Sequence, residues 1–297
     1  GEFRRAVVVA DHGDPGCHRS CSLWFEDVSR ARTMGAEMTR TKSADGTTIR
    51  YQVDGQGPDL VLVHGVGSRL EAWDGVVKSL QEDIRTVRLD LRGHGDSDKP
   101  AGRYELSDFV SDTIAVLDDL GIETCHLAGH SLGGLVAQGF ALEHPEKLDR
   151  LVLLSTVAGR NEEERARVEQ RLALVADGIP GAHFEKSVER WFTDDFRRNN
   201  PELIKAYGRQ NRSNDPKAYA SAYRVLAQTD LADQLYAITA PTLVATGDGD
   251  VGSNTRMAKL MHERIPGSSL HIFENLRHSI LAEAPDRVAA LIRDFLL

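Results

Sequence analysis

Short, fully apolar segments alternate with amphipathic helical segments along most of this 297-residue chain. A run of about four apolar residues between turn signals is typical of a strand that is buried on both faces of a sheet. Strands that alternate with helices predict βαβ units, so we expect an α/β fold with a mostly parallel sheet and helices on both faces. The predicted strands are residues 60–63, 126–128, 151–154 and 242–245, with weaker ones at 86–89 and 270–273 and an edge strand at 47–53.

The alternation stops between residues 157 and 230, where the sequence is helical and charged and has no strand-like run. A helical block inserted between two parallel strands would lie as a cap over the carboxyl ends of the strands, where open α/β sheets bind ligands. The sequence therefore predicts a leader at residues 1–40, a core in two parts at 41–156 and 231–297, and a helical cap at 157–230. Four helices are expected in the cap, at residues 161–176, 182–192, 201–209 and 216–228.

The leader has no clear hydrophobic period and starts with Gly1 rather than a methionine. We expect it to be vector-derived or disordered, with the native start at Met34 or Met38. Cys17 and Cys21 lie in this segment at a spacing that matches no zinc site, so we expect them to be incidental thiols.

Composition and charge exclude several functional classes. The chain has 36 basic and 45 acidic residues, a formal net charge of −9, which argues against nucleic-acid binding. No segment approaches the roughly 18 apolar residues of a membrane span. Three cysteines are too few for a disulfide scaffold, and the isolated Cys125 is expected to be a small buried residue. We therefore expect a cytoplasmic protein with a small-molecule partner, and neither a nucleic acid nor a membrane as partner.

The motif G-x-S-x-G occupies residues 129–133, directly after one predicted strand and directly before a predicted helix. A side chain in such a tight strand-to-helix turn points out of the sheet, and only small neighbours let the backbone fold so sharply. Ser131 would then be exposed at the amino terminus of a helix, where the helix dipole favours developing negative charge. This context predicts that Ser131 is a nucleophile.

A serine nucleophile needs a base, and the base needs an orienting acid. His278 follows the last predicted strand in a loop that can reach the serine, whereas His262 falls in a predicted helix and His271 within a strand. Asp248 and Asp250 both follow the preceding strand. We favour Asp250, because the intervening glycine turn would carry its side chain back towards the strand ends, and we keep Asp248 as the alternative.

An oxyanion hole needs two backbone N–H groups, one after the nucleophile and one from the loop after an earlier strand. These conditions point to Leu132 and to Val66, which lies in a glycine-containing loop after the first buried strand. We expect His64 to brace that loop by hydrogen bonds. The glycine-rich segment at 92–97 also follows a strand, and its spacing fits a structural turn better than a phosphate-binding loop.

Taken together, the motifs at 64–65, 90–97, 129–134, 247–250 and 275–278 resemble those of the α/β-hydrolase superfamily. The resemblance covers residues 41–297. It implies the α/β-hydrolase fold, with a mostly parallel central sheet and an inserted helical cap. It also implies a catalytic triad of Ser131, Asp250 and His278, with the backbone N–H groups of Val66 and Leu132 as the oxyanion hole.

A finer resemblance, to the 3-oxoadipate enol-lactonase and carboxylesterase branch, rests on residues 63–68, 72–74, 190–193 and 219–223. An enol-lactone diacid would need cationic contacts. Arg160 and Arg190 in the cap are candidates for these contacts, and Trp191 is a candidate pocket residue.

These observations predict a serine hydrolase that cleaves a carboxylic ester or lactone through an acyl-enzyme, with no metal or organic cofactor. Two alternatives use the same triad, namely hydrolysis of a C–C bond in a diketone and cofactor-free perhydrolysis. A third alternative is a non-enzymatic receptor for a small ligand on the same fold.

Overall fold

A computed structural model of the protein describes residues 39–176 and 182–297, and its centre is an eight-stranded sheet. The strands lie in the order β1-β2-β4-β3-β5-β6-β7-β8. The first two neighbouring pairs in this order are antiparallel, and the other five are parallel. The strands are β1 (Thr39–Lys42), β2 (Thr48–Asp54), β3 (Asp59–Val63), β4 (Arg85–Leu89), β5 (Cys125–His130), β6 (Leu148–Leu154), β7 (Thr242–Gly247) and β8 (Ser269–Phe273).

The mostly parallel sheet that the apolar runs predict is confirmed, but the position of its edge is not. The predicted edge strand, β2, is flanked by β1, whose Thr39 pairs with Tyr51 in an antiparallel ladder. Because β1 is polar and mostly exposed, it lacks the apolar signal that identifies the other strands. β1 begins at the end of the predicted leader, and the rest of that leader, including Cys17 and Cys21, lies outside the described residues.

Helices cover both faces of the sheet and bury its apolar side chains in two clusters. These helices are α1 (Asp74–Leu80), α2 (Leu106–Leu120), α3 (Leu132–Glu143), α9 (Thr255–Arg264), α10 (Ile280–Glu283) and α11 (Pro285–Leu296). One face of the sheet packs against α2, α3 and α9, and the other packs against α1, α10 and α11. Cys125 is a buried free thiol in the first cluster, as predicted.

The described part of the chain between β6 and β7 contains helices and connecting loops but no strand, in the segment predicted to be a cap. The helices there are α4 (Glu162–Ala176), α5 (Ala182–Trp191), α6 (Asp194–Asn199), α7 (Pro201–Arg212) and α8 (Pro216–Gln228). The short, polar α6 was not predicted, since six residues give too little periodicity to identify a helix. The division of the chain into core and cap stays a prediction. None of the helices described is long and apolar enough to cross a membrane.

Buried charges hold the turn that follows β4. Arg92 donates two hydrogen bonds of 2.7 Å to the carboxylate of Asp112 on α2, and both side chains are buried. Asp90 accepts from the backbone N–H groups of Leu70 and Asp96, at 2.8 and 2.9 Å. A Cβ atom on Gly95 would lie only 2.1 Å from Asp90, so this position requires glycine. The segment is a structural turn, as its spacing predicts.

Removing one partner of the buried Arg92–Asp112 pair should strongly destabilise the fold. We expect Asp112→Ala to lower the free energy of unfolding by about 3 kcal/mol, because the buried Arg92 guanidinium loses its only fully buried carboxylate partner and keeps the more exposed Asp45 and Asp108. Asp118→Ala, on the exposed side of the same helix, should cost less than about 1 kcal/mol. Urea denaturation at neutral pH compares the two variants, and equal losses would contradict the assignment.

Candidate active site

Ser131 sits in a strained turn between β5 and α3. Its φ of +56° is rare for a residue other than glycine. The turn closes tightly, because a Cβ atom on Gly129 would lie 2.1 Å from the carbonyl oxygen of Gly133. The N–H of Ser131 donates to the carbonyl of Leu154 at 3.0 Å, and the Thr156 hydroxyl donates to the Ser131 carbonyl at 2.8 Å. These contacts hold the serine at the carboxyl edge of the sheet.

His278 and Asp250 come together from the loops after the last two strands. Nδ1 of His278 lies 2.7 Å from Oδ2 of Asp250. Oδ1 of the aspartate accepts from the N–H groups of Gly252 and Ser253, at 2.8 and 2.9 Å. The alternative acid, Asp248, is exposed in the same turn. The structure therefore pairs the favoured aspartate with the predicted base.

The environment of Asp250 favours its ionised form. Burial alone would raise the pKa of this carboxyl, but the neighbouring His278 and the two N–H donors outweigh burial. The pKa therefore lies below its ordinary value of 3.8. A carboxylate fixed in this way orients the imidazole, so that Nδ1 carries a proton and Nε2 is free to act as a base.

A second histidine supports the loop that carries His278. Nε2 of His130 lies 3.0 Å from the carbonyl oxygen of His278, so this nitrogen is the donor, and the two rings are 5.0 Å apart. Burial, with the nearby His278, lowers the pKa of His130 to about 3. The His130 ring is therefore neutral at physiological pH and serves as a hydrogen-bond donor.

The loop after β3 lies against the serine turn. A Cβ atom on Gly65 would come within 3.0 Å of the Ser131 Cβ, so glycine permits this approach. His64 is buried, and both of its ring nitrogens are hydrogen-bonded. Nδ1 lies 2.7 Å from the Gly65 carbonyl oxygen, and Nε2 accepts from the Leu91 N–H at 3.1 Å. Burial lowers its pKa to about 4. The predicted bracing role of His64 is confirmed.

The two predicted oxyanion donors belong to the two segments that approach each other at Ser131. Leu132 is the first residue of α3, and the first N–H groups of a helix have no partner within the helix. Val66 follows Gly65, which lies close to Ser131, and it lines the cavity that also contains Ser131. The assignment of the two N–H groups as an oxyanion hole stays a prediction.

A cavity joins these residues to the helices between β6 and β7. Its lining includes Ser131, Asp250 and His278, together with Trp191 from α5. The Trp191 ring lies 6.4 Å from the His278 ring, with 32° between the two planes. The structure thus places the predicted pocket residue Trp191 beside the predicted base.

Arg160 also lines the cavity, but its guanidinium is already engaged. It donates to the carbonyl groups of Leu226, Ala227 and Thr229, at 2.8, 3.4 and 3.4 Å. These carbonyls end α8, where a cation is favoured by the helix dipole. The contact between Arg160 and a substrate stays a prediction. Two other cavity arginines, Arg171 and Arg190, donate to fewer acceptors in the described part of the protein.

Arg171 of α4 and Arg190 of α5 line the cavity and lie near each other. Burial lowers the pKa of Arg190, and the positive charge of Arg171 lowers it further. Within residues 39–176 and 182–297, neither guanidinium forms an ion pair with a carboxylate. The nearby carboxylate of Glu164 is bound instead by Arg256 and Asn254. The cavity therefore holds two guanidinium groups that have no direct carboxylate partner among the described residues.

Sequence reasoning missed Arg171. Its signal is helical spacing, since it follows the buried Val168 by three residues and the cavity residue Glu164 by seven. This spacing puts all three on one face of α4. No cluster of three His, Cys, Asp or Glu side chains that could hold a metal ion occurs among the residues described.

The eight-stranded sheet, the strained serine turn and the His278–Asp250 pair at its carboxyl edge define an α/β-hydrolase. A family model described as serine aminopeptidase, S33 (Hydrolase_4), matches residues 58–285, and the chain belongs to this family of serine hydrolases.

Three known proteins illustrate the similarity. The (E)-2-((N-methylformamido)methylene)succinate hydrolase of Acinetobacter baylyi is 32% identical over 249 residues, which cover 82% of this chain and 92% of that protein. The 3-oxoadipate enol-lactonase 2 of the same organism is 29% identical over 236 residues, 79% of this chain and 88% of that protein. The enol-lactonase structure from Burkholderia xenovorans LB400 matches with a TM-score of 0.81 at 26% identity, over 87% of this chain and 99% of that one. The predicted resemblance to α/β-hydrolases is confirmed.

Three histidines with lowered pKa values, two of them fully buried, should make stability depend on pH. Burial lowers the pKa of His64 to about 4 and the pKa values of His94 and His130 to about 3, whereas the ordinary value is 6.5. Below pH 6.5 the unfolded chain binds protons that the folded protein does not. Stability should therefore be complete above pH 6.5 and be lost as the pH falls towards 4, by up to about 1.4 kcal/mol per pH unit for each histidine.

Urea unfolding at pH 7, 6 and 5, followed by tryptophan fluorescence, measures this dependence. His130→Gln, whose amide can still donate to the His278 carbonyl, should reduce the slope by about one proton. Equal stability at pH 7 and pH 5 would show that these rings are protonated in the folded protein.

Proposed function

We propose that the protein hydrolyses a carboxylic ester or lactone through a Ser131–His278–Asp250 triad. The observation that carries this proposal is the hydrogen bond between His278 and the buried Asp250, at the cavity that also contains the strained Ser131. These residues supply the nucleophile, the base and the orienting acid that acyl transfer requires. The expected cytoplasmic location and the small-molecule partner remain part of this proposal.

In the first half of the reaction, Oγ of Ser131 attacks the carbonyl carbon while Nε2 of His278 takes the hydroxyl proton. The resulting oxyanion is stabilised by the N–H groups of Leu132 and Val66, with the amino terminus of α3 adding a favourable dipole. The tetrahedral intermediate collapses, the C–O bond to the leaving group breaks, and His278 gives its proton to the departing oxygen. An acyl-enzyme on Ser131 remains.

In the second half, water replaces the alcohol. His278 takes a proton from the water as its oxygen attacks the acyl carbon, and the same two N–H groups stabilise the second oxyanion. The bond to the Ser131 oxygen then breaks, and the proton returns to that oxygen. In a lactone the acid and the leaving oxygen belong to one molecule, so a single hydroxy acid, or the ketone tautomer of an enol, is released.

We further propose that the substrate carries a carboxylate. Arg171 and Arg190 place two guanidinium groups without a direct carboxylate partner among the described residues in the cavity, and a guanidinium binds a carboxylate through two parallel hydrogen bonds. The names of the two Acinetobacter relatives contain succinate and adipate, which are both dicarboxylates. These names support an anionic substrate but do not identify it.

The nucleophile assignment is tested by Ser131→Ala. Turnover of p-nitrophenyl acetate should fall by a factor of roughly 10³ or more, because no other group can form the acyl-enzyme. A fluorophosphonate probe should label the wild type and fail to label the variant. Ser107→Ala, on the exposed side of α2, is the control and should keep both properties.

Unchanged ester turnover in Ser131→Ala would refute the triad. A wild type that neither hydrolyses esters nor reacts with the probe would favour the receptor alternative. Diketone substrates and a peracid assay in the same series identify a C–C hydrolase or a perhydrolase.

The carboxylate preference is tested with two esters of similar size, p-nitrophenyl hemisuccinate and p-nitrophenyl butyrate. Arg190→Gln should lower kcat/KM for the hemisuccinate by about tenfold to a hundredfold, mainly through KM, because a charge-assisted hydrogen bond is lost. The neutral butyrate should change by less than about threefold. Arg165→Gln, an exposed substitution on α4, should leave both esters unaffected. Equal losses with both esters would contradict anion binding.

A further inference from the structure

The loop that carries His278 is attached to the cap as well as to the core. We use the term cap corner for residues 189–194, which run from the last turn of α5 to the start of α6. Several hydrogen bonds join this corner to residues 277–283, so the proposed base lies between the core on one side and the cap on the other.

Arg277, the residue before the proposed base, makes the most extensive of these contacts. Its Nη1 atom lies 2.5 Å from the carbonyl oxygen of Glu189, 2.9 Å from that of Phe192 and 2.9 Å from Oδ1 of Asp194. Because the two carbonyls flank Trp191, one guanidinium nitrogen fixes the backbone on both sides of the tryptophan that faces His278.

The stem of Arg277 also touches the turn that carries the acid. A Cβ atom on Gly249 would lie 3.2 Å from Cγ of Arg277, so the arginine stem passes closely over this glycine. The N–H of Gly249 donates to the carbonyl of Leu276 at 2.9 Å. One side chain therefore spans the acid turn, the base loop and the cap corner.

Two further contacts join the cap corner to residues 277–283. The N–H of Ser279 donates to the carbonyl of Trp191 at 2.9 Å. The carboxylate of Glu283 on α10 accepts from the N–H of Thr193 at 3.1 and 3.2 Å and from its hydroxyl at 2.5 Å. The cap corner is thus hydrogen-bonded to residues both before and after His278.

We propose that Arg277 is a positioning residue for His278, which it holds in register with Asp250 and Ser131 by bracing the base loop against the cap corner. This inference rests on the proposed function, because it assigns a partner to the base of the proposed triad. Asp250 and His130 hold His278 from the core side, and Arg277 with the Ser279 amide holds its loop from the cap side.

A purely structural role predicts something different. Arg277 is partly exposed, and exposed ion pairs contribute little to the stability of a fold. A small displacement of a catalytic base, by contrast, has a large effect on rate. Positioning therefore predicts a large loss of turnover with a small loss of stability, and a loss in kcat rather than in KM.

The test compares Arg277→Met with Arg197→Met. The first variant keeps an apolar stem over Gly249 and removes the guanidinium. The second removes an arginine that contacts Asp194 and Glu189 of the same corner but makes none of the contacts given above to the base loop. The measurements are kcat and KM for p-nitrophenyl acetate, the rate of inactivation by a fluorophosphonate, and the melting temperature.

We expect Arg277→Met to lower both kcat and the inactivation rate by about tenfold to a hundredfold, with KM within about twofold of wild type. Arg197→Met should retain the wild-type rates. Arg277→Lys keeps one charged donor that can reach part of the corner, so its rates should lie between those of wild type and Arg277→Met. The lysine variant also preserves the test if the methionine variant does not fold.

Three results would overturn the inference. If the wild type is labelled at Ser131 and Arg277→Met is labelled at the same rate, the positioning role is wrong and the proposed function stands. The same conclusion follows if Arg197→Met loses as much activity as Arg277→Met. If the wild type is not labelled at all, the proposed function fails, and the positioning role fails with it.

Discussion

The site depends on one strained backbone conformation, the positive φ of Ser131 between β5 and α3. A residue with a side chain adopts this conformation at a cost of about 1–3 kcal/mol, so the surrounding structure must hold it. The hydrogen bond to Leu154 on the neighbouring strand provides one restraint, and the Thr156 hydroxyl provides another. Gly65 and Gly129 leave the space that the turn occupies. The buried parallel strands thus fix the position of the hydroxyl before any substrate arrives.

Most of the site follows from the sequence, because its parts lie in local patterns that also fix their place in the sheet. Ser131 stands in a motif with a required strand before it and a required helix after it. His278 and Asp250 each follow a strand that an apolar run identifies. Since parallel strands end at one edge, the three side chains were expected to meet there. Strand β1 was not predicted, because its residues are polar and mostly exposed and give no apolar signal, although it pairs with the adjacent β2.

The remaining contacts could not be read locally, because they join segments far apart in the chain. Arg277 binds carbonyl groups that lie 88 and 85 residues earlier, and no motif marks such an acceptor. The end of α8 accepts the hydrogen bonds of Arg160, and this contact joins segments about 66 residues apart. Arg171 lies on the cavity face of α4, and its own sequence position carries no motif. For these arginines, the residue type is encoded locally, whereas the partner depends on tertiary structure.

Charge is distributed unevenly between the surface and the cavity. The chain as a whole has a formal net charge of −9, yet Arg171 and Arg190 line the cavity without carboxylate partners among the described residues. Buried acidic side chains elsewhere, such as Asp112, are neutralised by their own arginines. The bulk acidity therefore gives little information about what the cavity binds.

The long helical segment between β6 and β7 has a consequence for the order of folding. The pairing of Leu151 with Thr242 closes a chain segment of 242 − 151 = 91 residues, and long-range pairing of this kind forms slowly. Ser131 lies before this segment, whereas Asp250 and His278 lie after it. During synthesis the serine emerges well before its proposed base and acid. If the proposed triad is correct, the Ser131 hydroxyl lacks its base and its orienting acid until the carboxyl-terminal strands have docked.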